Sequence, residues 1–471
     1  MRKKVLSFAI AIIMLLSVTA CGNESSSEES SSAISSENSS ETSNSSVSEN
    51  SENSEEESSE EEWPSSYDTL DRSNLRTDFT TNEFLIGSWV SFYSFEKDDY
   101  QYQLDQMKQL GFNFNIFPKN FGGEIDAETI AEIEAEYASR DMYYMMFGDM
   151  NPENVELNAS IAKDMEHCIG YHIVDEPRRD AFDSVASICK AFRKADNTRY
   201  PFVNLFPSYA GSANLGGDYS NYIKKFIRAV RDENMEYLSH DFYPMNEGGT
   251  NYNIFSDMEV LRKAALEYGG LRTHAFPQST QWTGMRMPTI DDMRWNVYGY
   301  LAYGFKGLSW FNLVCPGSAD GEGEGFKESI IYRDGEIHDK QLFEDFIALN
   351  QEIVSLGDTL VDLDCLHAYH TKGEINGVEM IPENWIVSPD ADSNLIVSHM
   401  TSRTNGDLYV MLFNKEYALE QKVSARVNNV ESLSYLNPFT GEWEDVTVEN
   451  GTFNESFRAG EGKLYRINMK A

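Results

Sequence analysis

Between Leu85 and Leu313 the chain repeats one pattern eight times: a short apolar run, then a stretch whose apolar residues recur with helical spacing. The runs fall at 85–92, 112–117, 142–147, 169–174, 201–206, 237–242, 271–276 and 307–313. The helical segments lie near 98–110, 126–140, 153–166, 179–195, 218–233, 255–268 and 289–303, with an eighth at 340–356. Strands separated by helices run parallel, because each helix returns the chain to the same end of the sheet. Eight such units in about 270 residues match a closed (β/α)8 barrel better than an open doubly wound sheet. No Gly-x-Gly-x-x-Gly follows the first run, so a dinucleotide-binding fold has no support. The expected class is α/β, with a TIM barrel over residues 63–356.

From 357 to 471 the pattern changes to alternating strands divided by Asn-Gly, Asp-Gly and Thr-Gly turns, which predicts an all-β sandwich. Its strands show no solvent-facing aromatic platform, so the expected role is an accessory domain packed on the barrel.

The first 20 residues, Met-Arg-Lys-Lys followed by an apolar run, have the regions of a secretory signal and are too short for a good spanning helix. The ending Val18-Thr19-Ala20-Cys21 resembles the bacterial lipobox, which implies lipidation of Cys21 and a place on the outer face of the cytoplasmic membrane. Residues 21–62 are almost all Ser, Glu and Asn and cannot bury enough apolar surface to offset ordering entropy, so they read as a disordered tether. Acidity extends beyond the tether: the chain carries a formal charge of −39. Such a field disfavours nucleic acid and direct binding to anionic lipid, leaving the anchor as the membrane contact. Cys168, Cys189, Cys315 and Cys365 are widely spaced without a CxxC pair. They predict buried thiols rather than a metal site or disulfide framework, and no cofactor is expected.

The run Gly-Tyr-His-Ile-Val-Asp-Glu-Pro at 170–177 ends a strand in two carboxylates and a proline. In a barrel, the C-terminal ends of strands carry the chemistry. The candidates there are Trp89 and Tyr93 after the first strand, Asp149 beyond the third, Asp175 and Glu176 after the fourth, Asn204 on the fifth, and His240, Asp241 and Tyr243 at the sixth. Gln278 and Trp282 follow the seventh, and Trp310 and Asn312 lie on the eighth. Carboxylates, amides and Trp or Tyr rings together compose a sugar site, since rings stack on pyranose faces while acids and amides bind hydroxyls.

At these motifs the chain resembles the clan A (β/α)8 glycoside hydrolases, especially β-galactosidase-like families with a C-terminal sandwich. The resemblance covers roughly 84–471 and rests on IGYHIVDEP, HDFYPM, MPTIDDMRWNVYGYLAYGFKGLSWFNL, ESIIYRDGEIHD and, in the sandwich, LYVMLFNKE, YLNPFTGEWEDV and GEGKLYRI. It implies an extracellular hydrolase of O-glycosidic bonds in oligo- or polysaccharides. Glu176 corresponds to the general acid of an Asn-Glu-Pro motif, with Asp175 in place of the Asn. The clan's nucleophilic Glu on strand seven has no counterpart, because Gln278 occupies that region, and an amide cannot form a glycosyl ester.

Three explanations follow from Gln278. Asp241 serves as the second carboxylate; or Asp149, Asp320, Glu322 or Glu324 does; or hydrolysis is lost and the protein is a surface glycan-binding lipoprotein on a degenerate barrel. Asp241 leads, because the tips of strands four and six are spaced for the roughly 6.5–9.5 Å gap of an inverting pair. Tyr243, Asn204, Gln278, Trp89, Trp282, Trp310 and Asp175 are the expected sugar contacts. The charge of Asp175 should raise the pKa of Glu176, as a general acid requires.

Overall fold

The computed structural model describes residues 75–118, 126–147, 152–230, 235–317 and 325–470. Cys21, the tether, Asp149, Asp320, Glu322 and Glu324 lie outside them. Eight parallel strands form the barrel: β1 (Leu85–Ser88), β2 (Phe114–Asn115), β3 (Tyr143–Phe147), β4 (Cys168–Asp175), β5 (Tyr200–Leu205), β6 (Tyr237–Asp241), β7 (Arg272–Phe276) and β8 (Gly307–Trp310). They pair in the order β1-β8-β7-β6-β5-β4-β3-β2. Around them lie α1 (Lys97–Gln109), α2 (Ala127–Ala138), α3 (Pro152–Ala162), α4 (Phe182–Ala195), α5 (Tyr219–Val230), α6 (Ile254–Glu267), α7 (Ile290–Ala302) and α8 (Lys340–Leu360).

Side chains alternate across each strand, so two separate sets of residues stay dry. Leu85, Phe114, Met145, Ile169, Tyr200, Phe202, Tyr237 and Phe276 fill the barrel interior. Their neighbours Ile86, Met146, Tyr171, Val203, Leu238, Ala275 and Leu308 face the helices.

The barrel is nearly closed, and the weak seam lies between β1 and β2. Its ladder is replaced by Asn113, whose side-chain oxygen accepts the Ile86 N–H at 2.8 Å. The same amide donates to the Phe84 carbonyl at 2.9 Å, and the Asn113 N–H donates to the Ile86 carbonyl at 3.0 Å. This explains why the second strand shrinks from the expected 112–117 to two residues. It also explains Gly87: a Cβ there would sit 2.2 Å from the Phe114 carbonyl oxygen.

The C-terminal region forms a seven-stranded sheet and a three-stranded sheet. Leu395, Val397, Val410, Leu412, Val423, Phe453 and Tyr465 fill the space between them. On the other face of the large sheet, Ile396, Met400, Met411, Phe413 and Leu464 join the barrel's helical shell. Helix α7 lies in this junction. A capping box starts it, the Thr289 hydroxyl accepting the Asp292 N–H while the Asp292 carboxylate accepts the Thr289 N–H. The Trp295 indole donates to the Lys415 carbonyl at 2.9 Å, and Gly460, at φ 63°, lies where a Cβ would come within 2.5 Å of the Trp295 nitrogen. The change of architecture comes after Leu360, later than the boundary at 356 read from the pattern, because α8 continues to that residue. Cys168, Cys189, Cys315 and Cys365 are buried thiols.

Replacing Asn113 by Ala leaves two buried backbone groups at the seam without partners and should cost about 2 kcal/mol in urea unfolding. Gly87→Ala should cost more, because the clash is with backbone.

Candidate active site

The site begins with an irregularity in β4. Gly170 pairs with Tyr200 and His172 with Phe202, but the register then shifts by one residue so that Asp175, not Val174, lies beside Asn204. Such a bulge re-aims every side chain beyond it. It turns Asp175 into the barrel mouth with its carboxylate 2.9 Å from the Asn204 amide nitrogen. Glu176 follows in the left-handed region at φ 46°, a conformation that costs a non-glycine residue on the order of 1 kcal/mol and recurs at functional sites. Two bonds hold it: the Glu176 N–H donates to the Asn204 carbonyl at 2.9 Å, and the Tyr222 hydroxyl donates to the Pro177 carbonyl at 2.8 Å.

Asp241 enters from the tip of β6, buried, and its carboxyl is hydrogen-bonded to that of Glu176. The amide of Asn204 and the hydroxyl of Tyr243 also bond it. Asp175, Glu176 and Asp241 therefore form one cluster about Asn204. Each titrates above the ordinary carboxylate range, first because the barrel walls exclude water. Glu176 is raised by its burial, and the charges of Asp241 and then Asp175 add to the effect. Among the described residues, no basic side chain contributes to the shift of Asp175 or Glu176. Two carboxyls in such contact hold a proton between them, as like charges in a low dielectric cannot both ionise.

Rings line the mouth. Tyr243 packs edge-on against Trp282 at 5.1 Å and tilts over Phe311 at 4.8 Å, and Trp282 reaches Phe326 at 5.9 Å. Trp89 stands edge-on to Phe117, His172 and Phe276. Tyr209, on a turn after β5, was not a candidate from sequence. The residue is 51% exposed, while its hydroxyl accepts the Tyr243 N–H at 3.4 Å and reaches the charges of Asp241 and Glu176. That turn rests on Asp257, which accepts the Ser208 N–H at 2.8 Å and is raised by burial to about 7.

The structure brings Asp175, Glu176, Asn204, Asp241, Tyr243 and Trp282 together, with Trp89 on the barrel wall beside them. It corrects other expectations. Gln278 is fully buried and its amide is spent on backbone: its oxygen accepts the Met245 N–H at 3.0 Å, and its nitrogen donates to the Thr280 and Arg286 carbonyls at 3.2 Å each. It braces loops and is not a sugar contact. Trp310 is also buried, on the helix-facing side of β8, where its indole donates to Asn350 of α8 at 2.9 Å. His240 packs outward on Tyr300 and Phe305, and the Asn312 amide oxygen accepts the Val90 N–H at 3.0 Å. The gap expected between Glu176 and Asp241 is absent as well, because the β4 bulge and the turned backbone of Glu176 bring the two carboxyls into contact.

No protein-family model matches the chain, and no curated protein matches it in sequence. Solved structures do match in fold. A catalytic mutant of Gan42B, a GH42 β-galactosidase from G. stearothermophilus, is similar at TM-score 0.56 and 9% identity over 84% of this chain and 100% of that one. A β-galactosidase from Bacillus circulans sp. alkalophilus is similar at TM-score 0.54 and 10% identity, covering 82% and 99%. A family 5 glycoside hydrolase from Bacteroides vulgatus gives TM-score 0.50 at 13% identity, covering 82% and 89%. The fold is the barrel-plus-sandwich architecture of these glycoside hydrolases.

The raised carboxyls set the sign of the pH dependence. The folded state favours their neutral forms, so it binds more protons than the unfolded chain above about pH 4. Stability is full below the unfolded pKa values and falls as pH rises through the folded ones. Asp241→Asn should therefore raise the melting temperature at pH 8 by a few degrees and leave it unchanged near pH 3.5, by calorimetry. Gln278→Glu should lower stability by more than about 2 kcal/mol and add no turnover, because it sets a carboxylate against two carbonyl oxygens.

Proposed function

We propose that this protein is a glycoside hydrolase in which Glu176 is the general acid and Asp241 the second catalytic carboxylate. The observation that carries this reading is the contact between their carboxyls at the barrel mouth, where burial raises both above the ordinary carboxylate range. A carboxyl kept neutral near pH 7 can protonate a leaving oxygen. A sugar entering between the two would part them, leaving the proton on Glu176 and the charge on Asp241. Inverting enzymes hold a water in a gap of roughly 6.5–9.5 Å, whereas retaining pairs stand about 5–5.5 Å apart. The close approach here supports direct attack. Glu176 protonates the glycosidic oxygen as Asp241 bonds to the anomeric carbon and the leaving sugar departs. Water then adds to that carbon, Glu176 takes its proton, and Asp241 is released. Asn204 donates to the carboxylates, Tyr243 and Trp282 offer ring surface for a sugar, and Asp175 raises Glu176.

Neutral oligo- or polysaccharides are the proposed substrates, and the lipid anchor at Cys21 with its tether would hold the enzyme at the outer face of the membrane. One observation favours a second reading, a glycan-binding protein without turnover: strand seven offers an amide bound to backbone where the resembling enzymes carry their nucleophile.

Glu176→Gln should lower kcat by about 10²–10⁴-fold on natural glycans and by much less on aryl glycosides whose leaving group needs no proton. Initial-rate kinetics on both substrate types checks this. Glycan binding without hydrolysis in the unmodified protein would favour the second reading.

A further inference from the structure

A continuous line of hydrogen bonds crosses the barrel interior below the mouth. At matching register on β4 to β7 stand Asp175, Asn204, Ser239 and His274. The Asn204 nitrogen lies 2.9 Å from Asp175, the Ser239 hydroxyl 3.1 Å from the Asn204 side-chain oxygen, and His274 Nδ1 2.9 Å from that hydroxyl. Beyond it, His274 Nε2 meets the Ser309 hydroxyl of β8 at 3.0 Å. Asn204, Ser239, His274 and Ser309 are all buried. Room for the ring comes from β8, where a Cβ on Gly307 would lie 3.0 Å from His274 Cδ2.

Donor arithmetic gives the line a direction. A side-chain amide has an acceptor end and a donor end, and only the donor end suits carboxylates. Asn204 can present its N–H groups to Asp175 and Asp241 only if its oxygen accepts from Ser239. That hydroxyl has one hydrogen, so toward His274 it must accept, which requires the proton on Nδ1. Nε2 then accepts from Ser309. The imidazole stays neutral, as burial holds its pKa down to about 3, helped by the neighbouring His240. A neutral ring is what gives the line a single polarity.

Resting on the hydrolase reading above, we propose that His274 is a positioning residue which, through Ser239, fixes the orientation of the Asn204 amide and so holds its donors on the active-site carboxylates. It touches no substrate. The titratable groups at the Asn204 amide are Asp175 of β4 and Asp241 of β6, and Glu176 and Tyr243 lie against Asp241. Those around His274 are Tyr237 and His240 of β6, Phe202 of β5 and Phe276 of β7.

The test is a ¹³C NMR carboxyl titration of the full chain beside Ser239→Ala, His274→Leu and His274→Asn. The last keeps an N–H near the Nδ1 position. Asp257 serves as an internal control, since its bond goes to the Ser208 N–H and not to this line. The expected result is that Asp175 and Asp241 titrate about one pH unit higher in Ser239→Ala and His274→Leu, with Asp257 unmoved and His274→Asn close to the parent. In turnover, the acid limb of the kcat profile should shift by the same amount while KM holds. Unchanged Asp175 and Asp241 titrations in both deletion variants would overturn the proposal, and so would an equal shift of Asp257, which would indicate general loosening. If the unmodified protein shows no turnover, the hydrolase reading fails while the titration still decides this one.

Discussion

Contact between Glu176 and Asp241 is the constraint around which the rest of the site is arranged. Two carboxyls cannot meet inside a protein unless one keeps its proton or a cation intervenes, and among the described residues the charges acting on Glu176 are those of Asp241 and Asp175. The pair therefore needs three supports. The β4 bulge delivers Asp175 to the Asn204 amide, the left-handed backbone of Glu176 turns its side chain toward β6, and Asn204 bonds its two carboxylate neighbours across β5. Parallel strands make this possible, since they bring every tip to one end of the barrel.

These supports carry a cost, and the fold outside the site offsets it. Buried, mutually repelling carboxyls and a strained backbone destabilise the folded chain wherever the carboxyls ionise. Against that stand a tightly filled barrel interior and a sandwich that covers α7. Glycine at 460 and close packing on Trp295 show how intimately that sandwich is seated. A site of this kind rests on rigid elements, not on loops alone.

The architecture was legible from periodicity because the strands, buried on both faces, are near-continuous apolar runs while the helices keep a 3.6-residue repeat. Glu176 and Asp241 were legible because strand tips in a barrel project at one mouth, and the structure places the two side chains there together. Parity explains one error: Gly307, Ser309 and Phe311 point into the barrel, so Trp310 between them has to face α8. Gln278 was misread for a different reason. An amide's partners depend on loops that return from 245 and 286, and no local pattern shows that they bind it. The bulge at 173 was equally hidden, since a one-residue register shift leaves composition unchanged, and with it went the separation of the two carboxyls. Tyr209 sits on a turn with no periodicity to mark it, whereas Ser239 and His274 left a weak trace as polar residues at inward positions of apolar strands.

Trapping the reaction half-way tests the central claim most directly. The full chain would be incubated with a panel of 2-deoxy-2-fluoro glycosides bearing good leaving groups, digested, and its peptides weighed by mass spectrometry. The account predicts one added fluorosugar per chain, esterified to Asp241 and absent from Asp241→Asn. Label on Glu176 or another carboxylate, or turnover of the panel with no label at all, would contradict it.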